Sequence, residues 1–492
     1  MSINDSNNEG GPESGNDSRN QQQQDADDDK RVKKTLLLNT ITKNCASSPH
    51  EILQQIDHAI KEHGLPLEAT VLSGGYTNYS YKVFVDNHPE LCVFAKISFE
   101  YALWNPDKTA HYDLKRTDNE YEIMKTMAAS SPDCVVTPLA CWDVKHDGQN
   151  MKLLVTKWSE GDEQLSNQFI DGAVDPRVAP KIADTLAKLH NVKDFDPDFN
   201  ELVKPCMLNI YEHMKNVAQE ASNTANPKDR TEAYCASMGE DVVMKIIEAN
   251  IADYHKRDCL IHSDSHAFNT LVEAKPSIEE LETFGPKGTV VLCDWEMAMA
   301  GPLGRDIGLA LSFPVGCMIA HTLNGQSEEA NESIEIFING LLDTYLARMA
   351  EAGKTEEEIA AILRNIVGWC GWFHYLVFYI LKAMVEHFPV ESEEKRGQVV
   401  DALGILGLKL LRLSYDTVYL AESADVDEVR KVFNSLWEEE VTRAHDVFVA
   451  GKYRRRPRKS SIFRAANRRF SDAEMLYLAA ESVKRLSISK DN

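Results

Sequence analysis

The alternation of apolar and polar positions changes period along this chain, and the change predicts where strands give way to helices. ATVLSGGYTNYSYKVFV (69–85) and LCVFAKISF (91–99) are β-branched and aromatic runs around a short DNHPE turn, which predicts an antiparallel hairpin. NEYEIMKTMAA (119–129) has helical spacing, and VTPLACWDV (136–144) and MKLLVTKW (151–158) predict two further strands. From about residue 174 the three-to-four period dominates. RVAPKIADTLAKLHNV (177–192) sets Val178, Ile182, Leu186 and Leu189 on one helical face. Ahead of all this, SPHEILQQIDHAIKEHG (48–64) predicts a helix capped by Ser48 and ended by Gly64. The pattern is that of an α+β chain: a small β-rich lobe, then a larger, mainly helical one.

Two short apolar runs interrupt the helical half. LIHSDSHAFNTLVE (260–273) reads as strand, polar loop, strand, and TVVLCDWEMA (289–298) as a partner strand and turn. One long apolar run, IVGWCGWFHYLVFYIL (366–381), approaches membrane-spanning length. Its histidine, glycines and tyrosines favour a core helix, so no stable membrane insertion is expected.

Composition sharpens the boundaries. Residues 1–45 are expected to be a disordered acidic, polar tail, the first 34 residues of which hold hardly any apolar side chain. The lobes are then expected at 46–157 and 158–450, with a tail at 451–492 that ends in a short helix capped by Ser471 and Glu474. The net charge is −24, which argues against nucleic acid as a partner. Between Asp446 and Asp472, however, stand nine Lys or Arg and no acid. Two readings stay open for that tail: a solvated segment, or a regulatory one that docks on the acidic body. In the second, basophilic protein kinases acting at Ser460, Ser461, Ser471 or Ser487 would release it. Ten scattered cysteines without a C-x-x-C pair, and an N-terminus without a basic or apolar leader, predict reduced thiols and a cytoplasmic location.

The chemistry gathers in the interrupting runs. His262-x-Asp264-x-x-x-x-Asn269 has the spacing of a kinase catalytic loop. Phosphoryl transfer to a hydroxyl needs a carboxylate to accept the proton, for which Asp264 is the candidate. It also needs oxygen ligands for Mg²⁺, which Asn269, Asp294 and Glu296 can supply. His262, at a strand end, is expected to be a hydrogen-bonding scaffold, and His266 a loop residue beside the substrate. Upstream, Gly74 and Gly75 let backbone N–H groups approach phosphate oxygens, with Asn78 following. Lys96 is a charge in an apolar strand that calls for a partner, and Glu120 in the next helix can provide it.

In that order these blocks resemble the aminoglycoside phosphotransferase and choline kinase group of kinase-like small-molecule kinases. The resemblance covers roughly residues 50–420 and rests on LSGGYTNYSYKV, FAKI, NEYEIMKTMAA, LLVTKWSEG, LIHSDSHAFNTLVE and VVLCDWEMAMAGPLGRDIG. It implies a two-lobed protein-kinase-like fold that binds ATP between the lobes, with adenine against Thr156 to Trp158. Asp264 would be the base, Asn269 and Asp294 the Mg²⁺ ligands, Lys96 with Glu120 the phosphate-orienting pair, and Asp306 a brace for the catalytic loop. The acceptor would be a small hydroxylated metabolite.

Within the group, the insert after Lys96 and the phrases GPLGRDIG and DALGILGLKLL resemble methylthioribose kinase. Phe268-Asn269 departs from that branch, as does GWCGWFHYLVFYILK (368–382) where tandem arginines are usual. Trp369, Trp372 and Tyr375 are either closer to the choline and ethanolamine kinases, whose aromatic rings hold an ammonium, or ordinary core, two readings that periodicity leaves open. Two other classes are weighed against these. A metal hydrolase would use His262, Asp264 and His266 on one strand face, but lacks further ligands in motif spacing. A nucleotide-binding scaffold would keep its function after Asp264→Asn, whereas an enzyme would lose turnover.

Overall fold

The computed structural model describes residues 32–72, 77–101, 111–159, 162–273, 290–326, 328–416, 420 and 424–454. Gly74, Gly75 and the tail serines lie outside them. The chain divides into two compact units, one running to Phe99 and including Leu139–Trp158, the other made of Glu100–Pro138 and everything from Ser159.

The first unit is a five-stranded sheet of β1 (Leu67–Val71), β2 (Tyr79–Val85), β3 (His88–Phe99), β4 (Pro138–His146) and β5 (Gln149–Lys157), in the order β1-β2-β3-β5-β4. Strict alternation creates one apolar face. Tyr81, Val83 and Val85 of β2, Val93, Ala95 and Ile97 of β3, and Met151, Leu153 and Val155 of β5 are all buried in one core. The expected run 69–85 is thus two strands, with the glycine pair between them. Asn87, at φ 61°, makes the β2–β3 turn, a left-handed position that asparagine tolerates.

Two helices cover that face: α1 (32–44) and α2 (Glu51–His63). The first corrects the expected disordered segment 1–45. Leu37, Ile41 and Cys45 recur every four residues and bury one stripe against the strands, an apolar signal that the polar residues upstream obscured. Ser48 sits two positions too early to cap α2, whose N-cap is His50, and accepts the His50 N–H instead, at 3.2 Å. Gly64 closes the helix at φ 63°, as the sequence predicts.

The second unit departs from the expected division at residue 157. Helix α3 (Lys115–Ser130), placed in the β-rich lobe by sequence order, belongs to this unit. The reason is chemical. Its inward face carries Arg116 and Glu120 as well as Ile123, Met124 and Met127, and these polar groups find their partners in the second unit. A bridge between Val135 and Leu292 and the Leu292 N–H to Cys134 carbonyl bond, 2.9 Å, tie the following segment there too.

Short strands carry the polar loops. β6 (Asp162–Gln164), β8 (Thr270–Glu273) and β9 (Val290–Leu292) form one sheet in the order β6-β8-β9, and β7 (Cys259–Ile261) pairs antiparallel with β10 (Met299–Gly301). Around them pack α4 (Leu165–Asp171), α5 (Val178–His190), α6 (Lys204–Ser222), α7 (Arg230–Met238) and α8 (Glu240–Tyr254). Next in the chain come α9 (Arg305–Asn324), α10 (Glu328–Glu351), α11 (Glu356–Phe373), α12 (Glu393–Tyr415) and α13 (Val426–Arg454). α9 is long and apolar enough to cross a membrane, but its apolar window is wholly buried within the protein. The run 366–381 is buried up to Leu376 and emerges at Leu381: the end of α11 followed by a π-helical turn, His374–Ile380. Gly371 and Gly407 let α11 and α12 touch backbone to backbone, since a Cβ on Gly371 would meet the Gly407 carbonyl oxygen at 2.7 Å.

Candidate active site

The loop 262–269 hangs from a buried carboxylate. Asp306, in the first turn of α9, accepts the backbone N–H groups of His262 and Ser263, both at 2.7 Å, while its own carbonyl accepts the Ser265 hydroxyl at 2.7 Å. The start of a helix suits a negative charge, and His190 adds a bond from Nε2 at 3.0 Å. Burial pushes the Asp306 carboxyl up, but the His190 bond and charge, with His262, outweigh it and hold the group below its ordinary value. Ser263 adopts φ 69°, so the brace fixes a strained turn. This is the brace that the resemblance implied.

Arg305 secures the same turn from the other side. Its Nε reaches the Ser263 carbonyl and hydroxyl at 3.3 and 3.1 Å, and its Nη1 donates to the Tyr211 hydroxyl at 2.8 Å. The guanidinium lies over the rings of Trp369 and Tyr254, 4.5 and 5.1 Å from their centroids. Trp369 is fully buried and donates to Asp253 at 2.8 Å. Trp372 is buried against Tyr211, and Tyr375 is buried beside Cys235. The expectation that these aromatics form an ammonium pocket is therefore corrected: the cation over Trp369 is the protein's own.

His262 is scaffolding, as its strand-end position predicts. Its Nδ1 accepts the Asp264 N–H at 3.3 Å and its Nε2 faces the Cys293 carbonyl at 3.1 Å, which assigns the neutral tautomer protonated on Nε2. Complete burial drives its pKa below the ordinary value, against the pull of Asp306, Asp264 and Asp294.

Asp264 keeps about a third of its side chain exposed (34%). Asn269 points its amide nitrogen at the Asp264 carboxylate and carbonyl, at 2.9 and 3.0 Å. Both amide hydrogens are thereby used, so the Asn269 Oδ1 is the atom left to meet a cation. The Cys293 N–H to Asn269 carbonyl bond, 3.0 Å, brings the end of β9 beside the loop. His266 lies with Nε2 at 3.4 Å from the Asp264 carboxylate, and its buried Nδ1 has no partner.

Asp294 follows β9 at φ 64°, a left-handed conformation rare outside glycine and asparagine. Beside it, the Glu120 carboxylate accepts the Trp295 N–H at 3.2 Å, and Glu296 pairs with Arg116 at 3.4 Å with both side chains buried. Carboxylate oxygens of Glu120, Asp294 and Glu296 lie within 4.8 Å of one another. This oxygen-rich set, together with the Asn269 Oδ1, fits the hard-donor preference of Mg²⁺.

The remaining expected residues sit in the first unit. Lys96 is buried in β3 between Ser80 of β2 and Leu154 of β5, and Thr156 is buried in β5 opposite Phe94. Asn78 is buried, its amide on the Thr77 hydroxyl at 2.8 Å. Trp158 carries the Lys82 ammonium 4.6 Å from its ring centroid.

Three residues escaped the sequence reading. Arg116 lies four residues before Glu120, hence on the same helix face, a spacing that could have flagged it. Arg305 was legible only as the neighbour of Asp306. Asn200, which donates to the Glu296 and Ala298 carbonyls at 3.0 and 2.7 Å, carries no local signal.

A β-sheet unit, a helical unit and an H-x-D-x-x-x-x-N loop beside a D-x-E turn are the layout of a kinase-like phosphotransferase. Residues 68–337 match the phosphotransferase enzyme family, and the chain belongs to that family. A search of curated proteins finds no match. Among solved structures it is similar to an ethanolamine kinase of Plasmodium vivax, at 14% identity and a TM-score of 0.36, covering 82% of this chain and 91% of that one. It is also similar to an aminoglycoside phosphotransferase of Alicyclobacillus acidocaldarius, at 14% identity and 0.38, covering 76% and 92%. A third is a ternary complex of streptomycin, ATP and the phosphotransferase APH(2")-IIa, at 13% and 0.33, covering 70% and 94%.

Proposed function

We propose that this phosphotransferase uses ATP with Mg²⁺ to phosphorylate a hydroxyl of a small sugar of the methylthioribose type. The observation that supports the chemistry best is the Asn269 amide bonded through nitrogen to Asp264, which orients base and metal ligand as one piece. Asp264 accepts the acceptor's hydroxyl proton as the oxygen attacks the γ-phosphorus, and the bond to the bridging oxygen of ADP breaks. Asn269 and Asp294, with Glu296 and Glu120 beside them, hold the cation. When bound, Mg²⁺ supplies charge neutralisation on the nucleotide phosphates. Lys96, the buried cation of β3 in the first unit, is assigned to the nucleotide phosphates.

The choice of a sugar over an amino alcohol is supported by Arg305. An ammonium acceptor would need open aromatic faces, and Trp369 already carries the guanidinium. Purified protein with Mg·ATP should phosphorylate methylthioribose or a related pentose in preference to choline and ethanolamine, measured as ADP formed. Preference for choline or ethanolamine would contradict the sugar reading. ATP bound without turnover of any acceptor would favour the scaffold.

A further inference from the structure

Beyond the π-helical turn the chain makes a bend that burial alone does not demand. Lys382 and Met384 hold φ of 52° and 62°, and neither side chain is buried. The bend is nonetheless fixed, by the Leu381 N–H on the Leu376 carbonyl and the Ala383 N–H on the Val377 carbonyl, both 2.9 Å. π-turns and left-handed residues that are neither glycine nor asparagine concentrate where geometry serves a site.

What the bend achieves is a contact with the catalytic loop. Phe388 turns inward and stacks on Phe313, 5.3 Å between centroids. The preceding His387 stays exposed, and its ring lies 4.9 Å from that of Phe268, the residue before Asn269. Glu386 is exposed beside it, with a carboxylate oxygen 3.5 Å from His387 Nε2. The start of the π-turn reaches the same loop, since the Phe373 ring lies 6.3 Å from His266. His266 is itself buried, with Nε2 3.4 Å from the Asn269 amide nitrogen and from the Asp264 carboxylate and with Nδ1 unpartnered. Two stretches of one strained segment thus meet two residues of the catalytic loop.

We infer that Glu386 and His387, set on the bend Leu381–His387 against Phe268, recognise vicinal hydroxyls of the acceptor. The inference rests on the sugar-kinase reading and names which residues replace the missing tandem arginines. A carboxylate accepts from two adjacent hydroxyls at once. His387, its Nε2 3.5 Å from the Glu386 carboxylate, adds ring nitrogens that can donate to or accept from a further hydroxyl. Phe268 offers a ring face for the C–H side of a sugar. A monohydric amino alcohol has no second hydroxyl to satisfy this pair.

The test compares wild type, Glu386→Gln and His387→Phe with Mg·ATP and, in parallel, methylthioribose, ribose, glycerol, choline and ethanolamine. Both substituted side chains are exposed, and phenylalanine retains the ring contact with Phe268, so the fold is preserved. The expected result is turnover of a diol-bearing acceptor whose KM rises about tenfold in each variant, the loss of roughly one hydrogen bond to an ionised or paired group, with KM for ATP unchanged. A sugar turned over with the same KM by all three proteins overturns the assignment of Glu386 and His387 while leaving the sugar reading intact. Turnover of choline or ethanolamine alone, or of no acceptor, overturns both.

Discussion

Two aromatic regions flank the catalytic loop, and they are built to opposite ends. Around Arg305, the rings of Tyr211, Tyr254, Trp369 and Trp372 close on an internal cation that also grips Ser263. Around Phe268, the rings of Phe313, Phe373, Phe378 and Phe388 form a cluster with exposed His387 at its edge. The first spends its aromatic faces on holding the loop. The second leaves Glu386 and His387 exposed beside Phe268. Aromatic richness by itself therefore says little about a ligand; what fills the faces decides.

The sharpest way to break this contrast is to empty the closed cluster. Arg305→Met should destabilise the protein by about 3–5 kcal/mol, read from urea unfolding, because Tyr211 and the Ser263 turn lose a buried partner. Activity should fall with it. Equal stability would mean that the guanidinium is not what holds the loop.

Acid should reach the open cluster through His374, which is fully buried at the start of the π-turn with its ring near Phe378. Burial lowers its pKa from 6.5 to about 4, against the Ser312 carbonyl bond. The folded value lies below the unfolded one, so the unfolded chain takes up the proton first. Stability is intact above about pH 6.5 and is lost as pH falls through that window, by roughly 3 kcal/mol at pH 4. Unfolding of His374→Gln against pH should show a shallower acid slope than wild type; parallel curves would remove His374 as the cause. The smallest effect is expected at the edge: Phe268→Leu should cost under about 1 kcal/mol in stability and show its effect in the KM for acceptor instead.

How much of this was legible follows from how local each signal is. The Asp264–Asn269 spacing and Asp294 depend on one loop and one strand end, and the structure brings them together. Alternation in β2, β3 and β5 likewise specified the sheet. The Leu37, Ile41, Cys45 stripe was missed because composition was averaged over a polar tail. α3 was misplaced because chain order assigned it to the lobe it follows, whereas Arg116 and Glu120 have partners some 175 residues away. Trp369 was misread for the same reason. Its cation arrives from a different helix, and periodicity records a buried face without recording what lies against it.

The account depends most directly on Asp264 as the base. Asp264→Asn should keep the Asn269 contact and the fold while removing the proton acceptor. Turnover by the purified variant with Mg·ATP and the acceptor used by wild type, measured beside ATP affinity, isolates that step. The account predicts kcat lower by about 10²–10⁴-fold with ATP affinity unchanged. Turnover at the wild-type rate would contradict it.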